Sequence, residues 1–339
     1  MLKYFFILIV SLLFLSSCNN RSAKNSDDIL NDTTLNLEQL DQLIRKNPDN
    51  AELYLKRADF YLTKEKNIDK AILDMESALR ADTTMQDAYI KLAEMYLAVA
   101  NSEMSKKVLE RCLTRYPFNV KARIDLAKIY FYVQMYQEAM SEILKIEVNN
   151  LQNTDSYFVK ALILNETFAY KDAIEALKKS IDYDNNNWEA YNLIGKIHAE
   201  QDDKLALDYY KTATRLFPEN DEIQFNAAWV HQQFGEIQNA LEFYDKAISI
   251  DSLYYEAYYN AGYIYASDLK DYFKAIDYFS KAIECDSLSH KAWYNRGYSY
   301  EQLNKLQQAE NDYRKALTIF PNYDPAVEGL NIVIDKQMK

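Results

Sequence analysis

Residues 251–285 read DSLYYEAYYNAGYIYASDLKDYFKAIDYFSKAIEC, and residues 286–321 read DSLSHKAWYNRGYSYEQLNKLQQAENDYRKALTIFP. The two segments share one pattern, in which Asp-Ser-Leu leads into a stretch with Ala, aromatic residues, Asn and Gly. A second stretch follows, with two alanines seven residues apart. The first of these alanines recurs along the chain in steps of 33–35 residues, at what we call the marker positions: Ala71, Ser105, Ala139, Ala173, Ala206, Ala240, Ala275 and Ala309. A fixed period of this length is typical of helical repeat arrays.

The placement of small and bulky residues predicts two closely packed helices in every repeat. A Gly or Ala late in the first helix lets the second helix approach, and Tyr, Trp, Phe or Leu side chains fill the gaps between neighbouring pairs. The period and this pattern resemble the tetratricopeptide repeat family. The resemblance implies an all-α fold, an α-solenoid of about eight helix-turn-helix units. We expect an N-terminal packing helix within residues 35–50, eight units over residues 51–323 and a C-terminal capping helix over residues 324–339.

The first residues of the chain read as a targeting segment. Lys3 supplies a positive charge, and residues 4–15 form an apolar run that is too short to span a bilayer as a helix. The sequence Leu-Ser-Ser then precedes Cys18, so this end resembles a bacterial lipoprotein precursor. The resemblance implies a signal peptide over residues 1–17 and an acylated Cys18 that anchors the chain to a membrane. The alternative is an ordinary secretory signal that happens to be followed by a cysteine.

We expect residues 18–34 to comprise the acylated cysteine and a disordered tether, because they are polar and carry no helical periodicity. Asn19 stands where an aspartate often signals inner-membrane retention, so the resemblance favours the outer membrane of a bacterial cell envelope and leaves the leaflet open. The other two cysteines, Cys112 and Cys285, lie five repeats apart. Residues so far apart in a solenoid cannot meet within one chain, and we expect both to be buried thiols without a disulfide.

The charge balance limits the partners. The chain has 39 Lys and Arg residues against 51 Asp and Glu residues, for a net charge of −12. A surface this acidic repels phosphate backbones and anionic lipid headgroups, so nucleic-acid binding is disfavoured.

The sequence offers no catalytic constellation. No nucleophile and base stand at a usable spacing, no glycine-rich phosphate loop is present, and we expect no enzyme, no cofactor and no metal site. His198 and His231 occupy a slot that is Tyr in most other repeats, so we interpret them as packing residues in the seam between adjacent repeats. His290 opens a helix, and we expect it to be solvated.

The last three repeats contain the strongest candidate for a binding surface. In the tetratricopeptide family, first-helix positions five, six and nine commonly line a concave groove. Carried onto this chain, these positions give aromatic residues at five and nine and asparagine at six: Phe225, Asn226, Trp229, Tyr259, Asn260, Tyr263, Tyr294, Asn295 and Tyr298. The amides match a peptide backbone, and the rings match apolar side chains. The same residue types are frequent in the family whatever is bound.

Two interpretations of this surface follow. The preferred one is a lipid-anchored scaffold or adaptor that binds an extended segment or a helix of a protein partner in the groove. The alternative is a lipoprotein that captures glycans, because sugar rings stack on tyrosine and tryptophan faces.

Overall fold

The computed structural model describes residues 35–338. The expectations for residues 1–34, including the signal peptide, the tether and the acylation of Cys18, lie outside these residues. The chain divides into two compact units, one ending at Ala122 and the other beginning at Arg123. Both consist of α-helices and connecting turns throughout the described range. None of the helices within residues 35–338 is long and apolar enough to cross a membrane.

The described residues form 18 helices. In the first unit these are α1 (Leu37–Lys46), α2 (Ala51–Thr63), α3 (Ile68–Ala81), α4 (Gln86–Ala98) and α5 (Ser102–Arg115). The unit boundary falls within α6 (Val120–Tyr132). In the second unit there follow α7 (Tyr136–Val148), α8 (Thr154–Glu166), α9 (Tyr170–Tyr183), α10 (Trp188–Glu200), α11 (Leu205–Leu216), α12 (Asp221–Gln233), α13 (Ile237–Ile250), α14 (Tyr255–Ser267), α15 (Tyr272–Cys285), α16 (His290–Gln302), α17 (Leu306–Ile319) and α18 (Asp324–Gln337).

The helices pack as consecutive pairs. In the first unit α1 packs on α2, and the pairs α2/α3 and α4/α5 form repeats one and two. Repeat three is α6/α7, which Arg123 and Glu142 join through an ion pair of 2.7 Å. The pairs α8/α9, α10/α11, α12/α13, α14/α15 and α16/α17 form repeats four to eight, and α18 packs on α17. The predicted all-α architecture of eight helix pairs, with one additional helix at each end, is therefore confirmed.

The periodic alanines are the contact points of these pairs. The side chain at every marker position is fully buried, and so is the side chain seven residues later, which is Cys112 in repeat two and Ala78 in repeat one. The glycines late in the first helices explain the close approach. A Cβ added to Gly195 would lie 2.6 Å from Tyr210 Cε2, and one added to Gly262 would lie 3.0 Å from the Phe279 ring. The small-and-bulky alternation therefore sets the distance between the two helices.

The turn inside each pair contains one residue in the left-handed region of backbone space, with φ between 53° and 77°. These residues are Lys66, Ala100, Gln134, Phe168, Asp202, Gly235, Lys270 and Asn304. Gly adopts this conformation without steric cost, and polar residues such as Asn tolerate it better than bulky ones. Phe168 is the unusual member of this set.

Several local expectations are corrected by the structure. Cys112 is buried as expected, but Cys285 is only half-buried because it lies in the last turn of α15. Helix α18 has Tyr323 as its N-cap residue and Asp324 as its first residue. His290 is half-buried rather than solvated, since its ring lies 5.0 Å from Phe320 and 4.9 Å from Tyr323.

Candidate partner-binding surface

Three aromatic side chains project into solvent from equivalent positions of consecutive repeats. They are Trp229 on α12, Tyr263 on α14 and Tyr298 on α16, and they are 39%, 47% and 36% exposed. Large aromatic side chains usually contribute to a core, and each of these instead keeps more than a third of its surface in water. An exposed aromatic residue that recurs once per repeat is a candidate contact for a partner.

These rings are exposed because the residues on either side of each ring in the sequence are the ones that pack against neighbouring helices. Successive helix residues point about 100° apart, so the neighbours of an exposed residue point towards opposite sides of the helix. Ala228 and Val230 flank Trp229 and are both fully buried. Gly262 and Ile264 flank Tyr263 in the same way. Each ring therefore lies on the one sector of its helix that no other helix covers.

The predicted rings at position five have a different role. Phe225, Tyr259 and Tyr294 are half-buried, and each packs against an aromatic residue of the second helix of its own repeat. The Phe225 ring lies 5.7 Å from Tyr244 and stacks on Tyr254 at 5.0 Å. Burial raises the pKa of Tyr259 to about 12. These three rings are part of the packing of the array, and a smaller fraction of their surface is open to solvent than for the rings at position nine.

The Tyr294 ring repeats this arrangement at the end of the array. It lies 5.7 Å from Tyr313 of its own repeat and 5.3 Å from Tyr323, which precedes α18. Desolvation is the largest cause of the raised pKa of Tyr294. The Tyr294 ring therefore packs between the second helix of repeat eight and the residue that precedes α18.

The three predicted asparagines each use one amide N–H inside the protein. The Nδ2 atom of Asn226 donates to Asn192 Oδ1 at 3.0 Å. That of Asn260 donates to the Tyr244 hydroxyl at 3.2 Å. In the last repeat, the Nδ2 atom of Asn295 donates to the Tyr259 hydroxyl at 2.9 Å. An amide has a second N–H and a carbonyl oxygen, so each asparagine retains further hydrogen-bonding capacity for a partner.

One residue of this surface was missed at the level of sequence. Ile332 on α18 is 47% exposed and lies 34 residues after Tyr298. The repeat spacing that gave the aromatic positions could have found it, because α18 begins one repeat length after α16 and Ile332 has the position in α18 that Tyr298 has in α16. We call Trp229, Tyr263, Tyr298 and Ile332 the exposed stripe.

Acidic residues border the exposed stripe beside Trp229 and Tyr263, whereas the exposed Lys291 has the equivalent position before Tyr298. Glu222 lies seven residues before Trp229, and Glu256 lies seven residues before Tyr263; both are exposed. Seven residues are close to two full helical turns, so each carboxylate lies on the same face as its ring. This end of the surface therefore favours a partner with basic as well as apolar side chains.

The histidines that could suggest a metal site are packing residues of their own repeats. His198 stacks on Tyr209 at 5.2 Å, and its Nδ1 lies 2.9 Å from Asp203 Oδ2. His231 stacks on Phe243 at 5.2 Å. Both contacts lie within one helix pair, whereas the sequence suggested the seam between adjacent repeats. Among residues 35–338 no three His, Cys, Asp or Glu side chains are grouped so that they could hold a metal ion.

Two solved structures share this architecture, and one further protein is similar in sequence. The C-terminal part of a TPR repeat-containing protein from Cytophaga hutchinsonii superposes with a TM-score of 0.59 at 17% identity, covering 71% of this chain and 98% of that chain. The Cut9–Hcn1 hetero-tetramer of the APC/C gives a TM-score of 0.52 at 17% identity, covering 87% of this chain and 58% of that chain. At this identity the two likenesses concern the fold alone. The antiviral innate immune response effector IFIT1 of Macaca fascicularis is 26% identical over 158 residues, which are 45% of this chain and 31% of that protein.

Family models described as tetratricopeptide repeat match most of the helix pairs. The matched segments are residues 37–85, 86–119, 154–187, 204–255, 255–287 and 290–323, which together cover more than half of the chain. Scaffolds of this kind typically mediate protein–protein interactions, and no enzyme family is indicated. With the repeat period, the buried marker positions and the eight helix pairs in place, the chain belongs to the tetratricopeptide repeat family.

Proposed function

We propose that this protein is a lipid-anchored scaffold that binds a segment of a partner protein along the exposed stripe. The observation that carries the proposal is the recurrence of one open apolar side chain per repeat from Trp229 to Ile332. A partner segment that crosses several repeats would place successive apolar side chains against successive members of the stripe. The remaining amide groups of Asn226, Asn260 and Asn295 would then orient its backbone.

A polypeptide suits this surface better than a glycan. Trp229, Tyr263 and Tyr298 have planar faces on which a sugar ring could stack, but Ile332 has none. The bordering carboxylates Glu222 and Glu256 favour a segment with lysine or arginine beside its apolar residues. We therefore propose an extended or helical basic-apolar segment as the ligand.

Photo-crosslinking tests the stripe directly. A photoreactive amino acid at position 263 of the full chain in native membranes should trap a partner as a discrete adduct. The combined change Trp229→Ala and Tyr298→Ala should weaken this adduct at least tenfold, because truncating an aromatic side chain that is a hot spot of an interface costs about 2 kcal/mol or more. Phe273→Ala provides a matched control, since this ring is 63% exposed on α15 and is not part of the stripe.

Undiminished adduct in the Trp229/Tyr298 double variant would contradict the proposal, as would an equal loss in the Phe273→Ala control. The thermal unfolding of both variants is monitored by circular dichroism. All three side chains are partly or largely exposed, so we expect the helical signal to be retained.

The anchoring part of the proposal rests on the lipoprotein-like segment that ends in Cys18. Two or more acyl chains would hold the scaffold stably at a membrane of the cell envelope, with the outer membrane favoured. Metabolic labelling with a fatty-acid analogue should label the chain, and Cys18→Ser should abolish both the label and the membrane association. A labelled Cys18→Ser variant, or an unlabelled native chain, would contradict the anchoring proposal and leave the stripe proposal unaffected.

A further inference from the structure

Repeat six departs from the other repeats at position four of its first helix, the residue directly before position five. Six repeats have a large aromatic residue there, repeat three has Arg123, and repeat six has Gln224. The aromatic residues are Tyr54, Tyr89, Tyr157, Tyr191, Tyr258 and Trp293. The Arg123 guanidinium pairs with Glu142 at 2.7 Å, so its place is filled by an ion pair. Gln224 is therefore the short, uncharged exception to the pattern.

Gln224 keeps the hydrogen bond of the aromatic residue that it replaces. The Tyr54 hydroxyl donates to the backbone carbonyl oxygen six residues earlier at 3.0 Å, and Trp293 Nε1 donates in the same way at 3.0 Å. Gln224 Nε2 donates to the carbonyl oxygen of Pro218, also six residues earlier, at 3.0 Å. Because the donor of the amide must face this carbonyl, the other amide atom, Oε1, is fixed as an acceptor.

The Oε1 atom of Gln224 has no hydrogen-bond partner within residues 35–338, although the side chain is only 2% exposed. Buried acceptors in folded proteins are almost always paired, and one that is not costs free energy until a donor reaches it. Gln224 also lines a cavity of about 390 Å³. This volume lies within the range of about 300–1,000 Å³ that is typical of small-molecule sites.

The cavity occupies the place of the absent aromatic ring. Its lining on α13 includes Phe243, Lys246 and Ile250, which lie three, six and ten residues after the marker position. In other repeats the side chains at these three positions contact the ring at position four. The ring of Tyr278 lies 6.3 Å from that of Tyr258, Lys179 Nζ lies 5.7 Å from the Tyr157 ring, and the Tyr183 ring lies 5.6 Å from the Tyr157 ring.

Lys246 supplies a charge that other repeats place over a ring of their own. The cations at the same position of repeats two, four and eight lie within about 6 Å of the ring at position four, where the face of an aromatic ring attracts a positive charge. These pairs are Arg111 with Tyr89 at 5.6 Å, Lys179 with Tyr157 at 5.7 Å and Lys315 with Trp293 at 6.0 Å. Repeat six has the cation and the Phe243 ring beside it, but no ring at position four.

The charges that line the cavity favour an anionic ligand. Arg215, in the last turn of α11, lines the cavity from the preceding repeat and makes no ion pair with another described residue. Lys246 is paired with Glu242 at 2.7 Å. Glu219 is the one carboxylate among the described residues that line the cavity, against two cations. Arg215 is therefore the group that is available to a ligand carboxylate, with which a guanidinium forms a two-point pair.

We propose that this cavity binds an aromatic carboxylate whose ring carries a hydrogen-bond donor, that is, a hydroxyphenyl or indolyl acid. The ring takes the place of the side chain at position four, in contact with Phe243 and Lys246. Its hydroxyl or N–H donates to Gln224 Oε1, and its carboxylate pairs with Arg215. Gln224 lies five residues before Trp229, about 140° around α12, so the cavity and the exposed stripe are separate sites.

Isothermal titration calorimetry of the full chain with 4-hydroxyphenylacetate tests the site. We expect saturable binding with a dissociation constant of about 1 mM or lower, which is within reach of a ligand of this size. Cyclohexylacetate has the same carboxylate but neither an aromatic face nor a donor on its ring, and it should bind at least tenfold more weakly. Equal affinity for the two acids, or no saturable binding of 4-hydroxyphenylacetate, would overturn the proposal.

A variant that restores the aromatic residue separates loss of the cavity from loss of the fold. In Gln224→Tyr the chain's own ring should fill the cavity, so we expect a higher midpoint of urea unfolding together with loss of 4-hydroxyphenylacetate binding. Binding that persists in this variant, or a lower midpoint of unfolding, would show that the cavity is not the place of a ring.

The role of Arg215 has a matched control in repeat one. Arg215→Gln should weaken 4-hydroxyphenylacetate binding at least tenfold, because it removes the partner of the carboxylate. Arg80 has the equivalent position in repeat one and precedes a repeat with its own ring, Tyr89, so Arg80→Gln should leave binding unchanged. Equal affinities in the two variants would refute the pairing with Arg215.

The peptide Gly-Gly-Tyr distinguishes two sources of the same ligand chemistry. It presents a hydroxyphenyl ring and a carboxylate at the end of a polypeptide, whereas 4-hydroxyphenylacetate presents them in a free small molecule. Tighter binding of the peptide would identify a polypeptide C-terminus as the ligand, and tighter binding of the free acid would identify a small metabolite. Failure of both probes to bind would refute the site and would leave the exposed stripe unaffected.

Discussion

The buried ion pair of repeat eight provides the sharpest test of the packing. Arg296 Nε donates to Asp312 Oδ2 at 2.7 Å, and Nη2 donates to Oδ1 at 2.8 Å. The two side chains are only 17% and 6% exposed. The guanidinium carbon also lies 4.7 Å from the Trp293 ring. The stability of the repeat should depend strongly on both partners of such a bidentate ion pair, because each charge is buried between helices.

We expect Asp312→Ala to destabilise the C-terminal repeats by about 3–5 kcal/mol, because the buried guanidinium loses its one carboxylate partner among residues 35–338. The Ser280 hydroxyl, which accepts from Nη1 at 3.0 Å, would be its main remaining contact. Replacing both partners, with Arg296→Met and Asp312→Leu, should restore most of this loss, since apolar residues of similar volume leave no unpaired charge.

The measurement combines urea unfolding with hydrogen exchange of the amides in α16 and α17. Hydrogen exchange localises the effect, because neighbouring repeats can unfold separately. Glu242→Ala is the control, since its pair with Lys246 is exposed and should contribute less than about 1 kcal/mol. A loss below about 1 kcal/mol for Asp312→Ala, or a double variant as unstable as the single one, would refute the reasoning.

Three further predictions concern single side chains. Ser105→Ala should stabilise the protein by about 1 kcal/mol in urea unfolding, because the fully buried Ser105 hydroxyl has no hydrogen-bond partner among the described residues. Gly195→Ala should lower the free energy of unfolding by about 1–3 kcal/mol, since its Cβ would lie 2.6 Å from the buried Tyr210 ring; unchanged stability would contradict this. Desolvation lowers the pKa of His290 below its ordinary value of about 6.5, so its contribution to stability is complete above that pH and is lost as the pH falls through the lowered pKa. His290→Phe should therefore reduce the decrease in the free energy of unfolding, measured in urea, between pH 7.5 and 5. An unchanged pH dependence in this variant would contradict the role given to His290.

The repeat architecture was predictable because its contacts are local. Each helix packs on its immediate neighbours in the chain, so one period of small and bulky residues specifies one pair and its joint to the next. The marker positions illustrate this, since every one of them is fully buried, including Ser105 in place of alanine. Ile332 could have been found in the same way from its spacing.

The roles of the candidate site residues required the structure. The aromatic residues at positions five and nine are alike in sequence, and both were predicted to face a partner. The Tyr259 ring packs against Phe279 of its own repeat and its hydroxyl accepts from Asn295 of the next, whereas Tyr263, one turn later, is exposed to solvent. The asparagine amides likewise have internal partners one repeat or one helix away, which residue type alone cannot specify.

The sequence by itself therefore determined the type of fold, its period and the register of the helix pairs, because these depend on side-chain size at short range along the chain. Only the tertiary structure decided which face of each helix remains uncovered. That face depends on how closely the neighbouring helices approach and on which side chains fill the space between them. The exposed stripe arises in this way.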